Sequence, residues 1–310
     1  MGSIAKHEIS IFSKFLHIDM NDKVSVLVSG CNGFIGRHLV PYLAAQGRRV
    51  IAASRTASVF EDRNIACVQL PNLSEPFDWL PVLQDCVAVI HLAGIAHTPS
   101  DEETYDRVNH QATERLAKAA QRSGTHLIFV SSIAAQSGSS SAIELTEDDI
   151  PRPSNAYGRS KLAAEHAIRA SGAAFTILRP VVMYGEGEKG NFAFIHKISR
   201  LPLLLPFGGL KAKRSVLSIQ NFCSAVEFVL TNSRARGETF IVSDPEPVAV
   251  SELIARHRAT LGRSPGIMQI PEKWIELSLK AIGQNAIWQR IGCPLIARPK
   301  KLLALGWKPT

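Results

Sequence analysis

Short apolar runs along the chain alternate with segments in which apolar residues recur every third or fourth position. The first run, residues 24–29, is rich in valine and ends at a glycine, which is typical of a buried strand in a parallel sheet. The next segment places Ile35, Leu39 and Leu43 on one helical face and stops at Gly47. The pattern therefore predicts a strand followed by a helix.

The same alternation continues to about residue 180. Further apolar runs predict strands at residues 48–54, 86–94, 126–132 and 175–180. A helix that ends at Gly124 is predicted by one apolar face, formed by Val108, Ala112, Leu116 and Ala119. Strands that alternate with helices form parallel βαβ units, so we predict an α/β fold with a Rossmann-type doubly wound parallel sheet.

The pattern becomes irregular after residue 180, where glycine and proline are frequent. We therefore expect a dinucleotide-binding domain at residues 23–180 and a smaller mixed α/β substrate domain at residues 181–310. Some segments of the second domain are expected to return to the main sheet. Residues 1–22 are expected to form a disordered or dispensable leader, since Met20 is a candidate translational start. They lack the apolar core and cleavage site of a signal peptide.

A glycine-rich turn, GCNGFIG, joins the first strand to the first helix. Gly30 suits the tight turn, Gly33 lets the backbone approach a pyrophosphate, and Gly36 permits close packing of the helix on the sheet. The N-terminus of the helix would present free N–H groups to phosphate. A glycine-rich loop can also be without a ligand, but the strand–turn–helix context favours nucleotide binding.

The end of the second predicted strand bears on the choice of cofactor. A site that prefers NAD places Asp or Glu there, against the ribose 2′-hydroxyl. This chain has Ser54 and Arg55 instead. A guanidinium suits a 2′-phosphate, so NADP is favoured over NAD, although Arg55 at a solvent-facing strand end is the alternative.

Tyr157 and Lys161 stand four residues apart in a predicted helix, and Ser132 ends an earlier apolar run. The phenol of tyrosine has an ordinary pKa near 10, and an ammonium group on the same helical face would lower it. Ser132 would lie at the carboxyl edge of the sheet and hold a substrate oxygen while Tyr157 transfers the proton. The alternative is a partly exposed helical pair without chemistry.

Three further polar residues lie near the predicted site. Asn109 would anchor backbone or water beside it, or would face solvent from its helix. His91 and His97 are interpreted as packing or loop residues and not as catalytic bases.

Composition narrows the range of functions. The chain has 310 residues, 45% of them hydrophobic, with a formal net charge of +8. An anionic small substrate, an anionic membrane or a nucleic acid would each suit this charge, but no run of five basic residues is present. Five widely spaced cysteines predict no disulfide framework and no metal site. The same cysteines make a reducing compartment the default, so a cytoplasmic location is expected. No apolar stretch is long enough to span a bilayer.

Taken together, these motifs resemble those of the extended short-chain dehydrogenase/reductases, the NAD-dependent epimerase/dehydratase family of nucleotide-sugar enzymes. The resemblance runs from about residue 24 to the end of the chain, with GxxGxxG, HLAG, FVSS, YxxxK, LRPVVMYG and LGWKP in the family's order. Two departures stand out: AAQSG replaces the usual VYG after the serine strand, and the acid after the second strand is missing.

The resemblance implies a catalytic triad of Ser132, Tyr157 and Lys161. It also implies a substrate that carries a nucleoside diphosphate, with Asn191 and Arg214 at the diphosphate and Phe207 near the uracil. The cofactor-binding residues it implies are Gly30, Gly33, Phe34, Ile35, Gly36, Ser54, Arg55, Leu92, Ala93, Gly94, Asn109, Tyr157 and Lys161.

Residues 187–222 resemble the bacterial enzymes that act on UDP-linked sugars. The first hypothesis is therefore the reduction of a UDP-4-keto-6-deoxy-N-acetylhexosamine, and the second is a UDP-hexose or UDP-N-acetylhexosamine 4-epimerase. A catalytically silent dinucleotide-binding regulator is a third, and a nucleic-acid-binding role is poorly supported. The family often forms homodimers through a four-helix interface to which each subunit contributes two helices. Here these would be residues 103–123 and 156–170.

Overall fold

The computed structural model describes residues 25–96, 100–187 and 198–310, so the predicted leader lies outside the described residues. The strands are β1 (Ser25–Ser29), β2 (Arg49–Ser54), β3 (Ile65–Gln69), β4 (Cys86–His91), β5 (His126–Val130), β6 (Phe175–Pro180), β7 (Val182–Tyr184), β8 (Lys213–Arg214), β9 (Val216–Ser218), β10 (Thr239–Val242) and β11 (Val248–Ala249). Seven of them form a parallel sheet in the order β10-β6-β5-β4-β1-β2-β3. The predicted doubly wound sheet is confirmed, with the strand order reversing between β1 and β4.

Helices cover both faces of this sheet. The helices of the chain include α1 (Phe34–Ala45), α2 (Leu80–Leu83), α3 (Glu102–Tyr105), α4 (Ala112–Ser123), α5 (Ala156–Ala170), α6 (Ile219–Thr231), α7 (Val250–Thr260), α8 (Glu272–Ala281), α9 (Asn285–Ile291) and α10 (Lys300–Ala304). A π-helix, Asp106–Gln111, joins α3 to α4.

The core has two parts because successive side chains of a strand point to opposite faces. Val28 of β1 belongs to the cluster that contains Leu39 of α1 and Val226 of α6. Its neighbour Leu27 belongs to the cluster that contains Leu116 of α4 and Ile168 of α5. The sheet is therefore buried on both sides, as its continuous apolar runs predict.

The sequence pattern did not predict strand β3. Its residues are half-buried or exposed, because it forms the edge of the sheet. With water on one side, the strand lacks the continuous apolar run that marks the central strands.

The residues after 180 contribute to two regions. Strand β10 returns to the main sheet beside β6, and α6 packs beneath the sheet in the same core cluster as α1. Outside the main sheet, β7 pairs with β9 in parallel and β8 pairs with β11 in antiparallel orientation. The predicted boundary between a dinucleotide domain and a substrate domain stays a prediction.

Candidate active site

The turn after β1 is shaped by close backbone contacts. Gly30 has a φ of +77°, and a Cβ atom there would lie 2.8 Å from the backbone nitrogen of Ala93. A Cβ on Gly36 would lie 2.5 Å from Cα of Cys31, so α1 packs directly against the turn. Only glycine fits either position without a shift of the backbone.

Helix α1 begins at this turn without a side-chain cap. Gly33 is its N-cap residue and offers no side chain to the first N–H groups. These groups and the positive end of the helix dipole are what a pyrophosphate requires. Phe34 and Ile35, in the first turn of the helix, are half-buried and pack against the apolar core.

The segment after β4 runs between the glycine turn and the helix that carries the predicted catalytic pair. The backbone N–H of Leu92 donates to the carbonyl of Ser29, which holds the segment beside β1. A Cβ on Gly94 would lie 2.8 Å from Oδ1 of Asn109 and 3.8 Å from Nζ of Lys161. The structure therefore brings the predicted cofactor residues and Lys161 to the same edge of the sheet.

A polar cluster occupies the end of β2, where an acid would be expected in a site that prefers NAD. The amide Nδ2 of Asn32 donates to Oγ of Ser54 at 3.0 Å and to Oγ1 of Thr56 at 2.8 Å. Ser58 donates to Oδ1 of the same asparagine at 2.8 Å. Arg55 is exposed, and its guanidinium forms no ion pair with any residue that the structure describes. This cluster offers donors and a free cation to a ribose or its 2′-phosphate.

Asn32, Thr56 and Ser58 were not predicted as site residues. Asn32 lies inside the glycine motif, and the other two follow Arg55 in the segment SRTAS. The run of hydroxyl-bearing residues beside Arg55 could have indicated that this segment belongs to the cofactor site.

Ser132 and Tyr157 are brought together by two adjoining helix starts. Ser132 lies two residues after the end of β5 and caps a short 3₁₀-helix, where its side chain accepts from the N–H of Ala134 at 3.1 Å. Asn155 caps α5 by accepting from the N–H of Gly158 at 2.8 Å, which sets Tyr157 in the first turn. A Cβ on Gly158 would collide with the carbonyl of Ala134, so the two helix starts are in direct contact.

Lys161 lies one turn further along α5 and is buried. Its Nζ donates to the carbonyl of Val130 at 2.8 Å and lies 4.5 Å from the ring centroid of Phe129. Burial lowers the pKa of Lys161 to about 8, and the nearby carboxylate of Glu165 acts in the opposite direction. The ammonium group is thus fixed at the end of β5, below the segment that contains Gly94.

The predicted lowering of the pKa of the Tyr157 phenol is wrong. Burial raises the pKa of Tyr157 to about 12, and its hydrogen bond with Ser132 acts in the opposite direction. Desolvation is the largest of these effects. The phenol is therefore protonated at neutral pH and carries a proton that a reduction could use.

Asn109 faces the site and not solvent. Its Oδ1 accepts from the N–H of Ile95 at 2.8 Å, and its Nδ2 donates to the carbonyl of Ile95 and to Oγ of Ser160. It is 1% exposed and lies in the π-helix, an irregularity that is frequent at functional sites. Asn109 ties the segment after β4 to α5, which agrees with the predicted anchoring role.

His91 is a packing residue, as interpreted from the sequence. It is fully buried between Trp79 and Phe129 and shares a hydrogen bond of 2.7 Å with Ser29. Burial lowers its pKa to about 3, so the ring is neutral. His97 lies outside the described residues.

A buried network of charged and polar side chains joins α5 to the sheet. Glu165 follows Lys161 by one helical turn and accepts from Arg179 of β6 at 2.9 Å and 2.6 Å. Ser131 donates to the same carboxylate at 2.6 Å, and Arg179 also donates to Gln136 at 2.8 Å. The network joins α5, β6 and the loop that follows Ser132. No motif in the sequence pointed to it.

The residues predicted to hold the substrate diphosphate are less completely placed. Arg214 is buried, and its guanidinium donates to the carbonyls of Ser139, Gln289 and Cys293. Burial lowers its pKa to about 10. Phe207 is half-buried in a separate apolar cluster with Val216. Asn191 lies outside the described residues, so all three substrate roles stay predictions.

Comparison with known proteins identifies the family of the chain. The sequence pattern of the NAD dependent epimerase/dehydratase family matches residues 26–243. The chain belongs to this family. UDP-glucose 4-epimerase from Vibrio cholerae is 29% identical over 300 residues, which cover 92% of this chain and 90% of that protein. GDP-6-deoxy-D-mannose reductase from Pseudomonas aeruginosa is 28% identical over 247 residues, with 74% of this chain and 77% of that protein covered.

A solved structure agrees with the membership of this family. MoeE5 in complex with UDP-glucose and NAD matches with a TM-score of 0.71 and 25% identity, and the match covers 92% of this chain and 93% of that one. The protein is therefore an enzyme of the NAD-dependent epimerase and reductase group, and the predicted nicotinamide dinucleotide cofactor is confirmed. In the described part of the chain, no helix has the length and apolarity to cross a membrane.

Proposed function

We propose that the protein reduces a UDP-linked 4-keto-6-deoxy-N-acetylhexosamine at C4, with a nicotinamide dinucleotide as the reductant. The observation that carries the proposal is the meeting of three groups at one sheet edge: the glycine turn, Lys161, and the paired hydroxyls of Ser132 and Tyr157. A carbonyl reduction needs a hydride and a proton on opposite ends of one C=O bond. This site has a place for each.

Proton transfer is assigned to Tyr157. The bound cofactor supplies the hydride to C4. The carbonyl oxygen gains negative charge as C4 is reduced, and the phenolic O–H donates its proton to that oxygen. Ser132 donates a hydrogen bond to the same oxygen and fixes its direction. The product is the C4 alcohol, and the phenolate is reprotonated from solvent.

Lys161 and Asn109 are assigned to position the cofactor and the phenol. The ammonium of Lys161 lies beside Gly94, where the cofactor ribose is expected, and its charge stabilises the phenolate that forms during turnover. Asn109 holds the backbone of Ile95, so the segment at Gly94 keeps its distance from α5.

The substrate class is proposed from the resemblance and from the relatives. UDP-glucose is named both for the Vibrio cholerae epimerase and for the MoeE5 complex. Arg214 would meet the diphosphate after exchanging one of its three carbonyl partners for phosphate oxygens, which a guanidinium binds in pairs. Asn191 and Phe207 would complete the contacts to the diphosphate and the uracil.

NADPH is proposed as the preferred reductant. The end of β2 carries hydroxyls, an amide and the exposed Arg55 in place of an acid. A carboxylate would repel a 2′-phosphate, whereas these groups bind it.

A 4-epimerase of a UDP-sugar is the second candidate function. It is favoured by the relative from Vibrio cholerae, whose similarity extends over 92% of this chain. An epimerase would oxidise C4 and return the hydride to the opposite face, so it consumes no cofactor overall. The same triad serves both reactions.

Stoichiometry separates the two candidates. The enzyme is incubated with a UDP-4-keto-6-deoxy-N-acetylhexosamine and NADPH, and absorbance at the dihydronicotinamide band is followed. One NADPH oxidised per sugar reduced is the expected result. Conversion of UDP-glucose or UDP-N-acetylglucosamine to its C4 epimer, with no net change in the cofactor, would reject the reductase. As a control, both incubations are repeated with NADH in place of NADPH.

We also propose a homodimer formed through α4 and α5, as the resemblance implies. Sedimentation analysis of the purified enzyme tests it, and a monomer at micromolar concentration would reject it.

A further inference from the structure

Exposed apolar side chains are concentrated in one part of the C-terminal half. Fourteen large apolar side chains are exposed among the described residues, and nine of these lie between residues 201 and 287. The nine are Leu201, Leu203, Leu204, Leu261, Met268, Trp274, Leu277, Ile282 and Ile287. Single exposed apolar residues are ordinary on a protein surface, but a concentration of this kind marks an interaction site.

Helix α8 carries the most apolar part of this surface. Trp274 is 65% exposed and Leu277 is 61% exposed, and Ala281 follows them on the same helical face. Ile275 and Leu279 lie on the other face and are half-buried. None of the residues of α8 is buried, so the helix lies on the surface with one apolar face toward the protein and a second toward the outside.

The leucines at positions 201, 203 and 204 belong to the same region. The N–H of Leu205 donates to the carbonyl of Gly266 at 2.9 Å, and the N–H of Met268 donates back to the carbonyl of Leu205 at 2.8 Å. Helix α8 starts four residues after Met268. We call residues 201–204, Met268, α8 and residues 282–287 together the C-terminal apolar face.

Basic residues outnumber acidic residues in the two stretches of the chain that carry this face, where Lys280 pairs with Glu276. Residues 200–213 and 261–292 contain seven basic residues, at positions 200, 211, 213, 263, 273, 280 and 290, and two acidic residues, at positions 272 and 276. These two stretches therefore carry a net charge of +5 out of the +8 of the whole chain. All seven basic side chains are exposed.

We propose that the C-terminal apolar face docks the enzyme on a membrane surface that contains anionic phospholipids. An exposed helix with tryptophan and leucine on one side and lysines beside them is what a bilayer interface binds, because the apolar side chains enter the acyl boundary and the cations meet the headgroups. An uncharged apolar partner would explain the leucines and Trp274, but not the excess of basic residues. The charge of the surface selects the anionic membrane as the partner.

The face adjoins the candidate active site. Arg214 donates to the carbonyls of Gln289, at the end of α9, and of Cys293, which follows it. Docking would therefore hold the predicted diphosphate end of the site close to the membrane. The proposal does not depend on the reaction, since it rests on the exposed side chains and on their charge.

Binding to vesicles tests the proposal directly. The full-length enzyme is sedimented with vesicles of phosphatidylcholine alone and with vesicles that contain about 30% phosphatidylglycerol, at low and at high salt. We expect binding to the anionic vesicles at low salt, with weaker binding at high salt. No binding to the anionic vesicles at low salt would overturn the proposal.

Trp274 gives a local signal. The other three tryptophans, at positions 79, 288 and 307, are buried. Brominated lipids should therefore quench the fluorescence of Trp274 when the enzyme binds. If binding occurs without quenching, a different surface makes the contact and the proposal fails.

Matched variants separate docking from folding. The double variant Trp274→Ser/Leu277→Ser should weaken binding by about tenfold or more, while Val59→Ser, which removes an exposed apolar side chain elsewhere, should leave it unchanged. Lys273→Gln/Lys280→Gln should weaken binding to anionic vesicles only. All variants should keep wild-type activity on soluble substrate. A change of molecular mass in the tryptophan–leucine variant would instead identify a second copy of the chain as the partner and overturn the proposal.

Discussion

The two halves of the candidate active site are built by different means. On the cofactor side, the shape comes from backbone: the turn at Gly30, the uncapped start of α1, and the close passage at Gly94. On the proton-transfer side, it comes from side chains that hydrogen bonds hold in place: Tyr157 is bonded to Ser132, and Lys161 donates to the carbonyl of Val130. Backbone N–H groups suit a large phosphate ligand, whereas proton transfer needs one group with a controlled pKa.

The difference has an energetic consequence. Glycines in a turn cost the folded state only conformational entropy. A buried ammonium and a buried carboxylate cost desolvation energy, which only good partners offset. We therefore expect the proton-transfer side to limit both stability and rate, and substitutions of side chains on the cofactor side to have smaller effects.

The largest expected effect comes from removing the phenolic hydroxyl. Tyr157→Phe should lower kcat by roughly 10²–10⁴, because the reduction loses its proton donor, while the dissociation constant of the cofactor changes little. Steady-state kinetics and a cofactor titration measure the two quantities. Tyr42→Phe, which removes a phenol on α1, is the control and should keep full activity. Unchanged activity of Tyr157→Phe would remove Tyr157 from the mechanism.

The next largest effect is expected from breaking the buried ion pair that joins α5 to β6. Glu165→Gln leaves the buried guanidinium of Arg179 without its counter-charge and should lower the free energy of unfolding by about 3 kcal/mol. The matched change is Glu114→Gln on α4, whose exposed pair with Lys118 should contribute about 0.5 kcal/mol or less. Urea denaturation measures both. Equal losses would show that burial does not distinguish the two pairs.

Lys161 should stabilise the reaction and destabilise the fold. Its pKa falls from 10.5 to about 8 on folding, so the folded protein binds this proton less tightly than the unfolded chain does. The charged form therefore costs stability below about pH 8, and the cost disappears as the pH rises from 8 toward 10.5.

The test is Lys161→Met, which removes the charge and keeps an apolar stem. In the absence of cofactor, it should raise the free energy of unfolding at pH 7 by about 1–3 kcal/mol and abolish most activity. The gain should shrink as the pH passes 8. Lys118→Met, at an exposed position, should show no such pH dependence. A variant that is less stable than wild type at pH 7 would contradict the interpretation.

The cofactor side was more predictable from sequence than the proton-transfer side, and the reason is physical. Gly30, Gly33 and Gly36 act through backbone geometry that is local in sequence, so their spacing is enough to identify the turn. Tyr157 and Lys161 are also local, since they share one face of α5. Their pKa values are not local, because they depend on burial by β5 and on Ser132, and the predicted direction for Tyr157 was wrong.

Long-range partners left no signal in the chain. Glu165 and Arg179 are 14 residues apart and meet only when β6 packs beside α5. The contact of Asn109 with Ile95 depends on the π-helix, which no apolar pattern predicts. Edge strand β3 was missed for a related reason, since its half-exposed residues lack a continuous apolar run.

The smallest expected effect tests whether side chains matter on the cofactor side. Arg55→Ser removes the exposed guanidinium beside the polar cluster at the end of β2. It should weaken NADPH binding by about tenfold, because one charge-assisted contact to the 2′-phosphate is lost, and leave NADH binding unchanged. Arg63→Ser, at another exposed arginine, is the control. If NADPH and NADH bind equally to wild type and to both variants, the protein binds the dinucleotide through its backbone alone. The proposed preference for a phosphorylated cofactor would then be wrong.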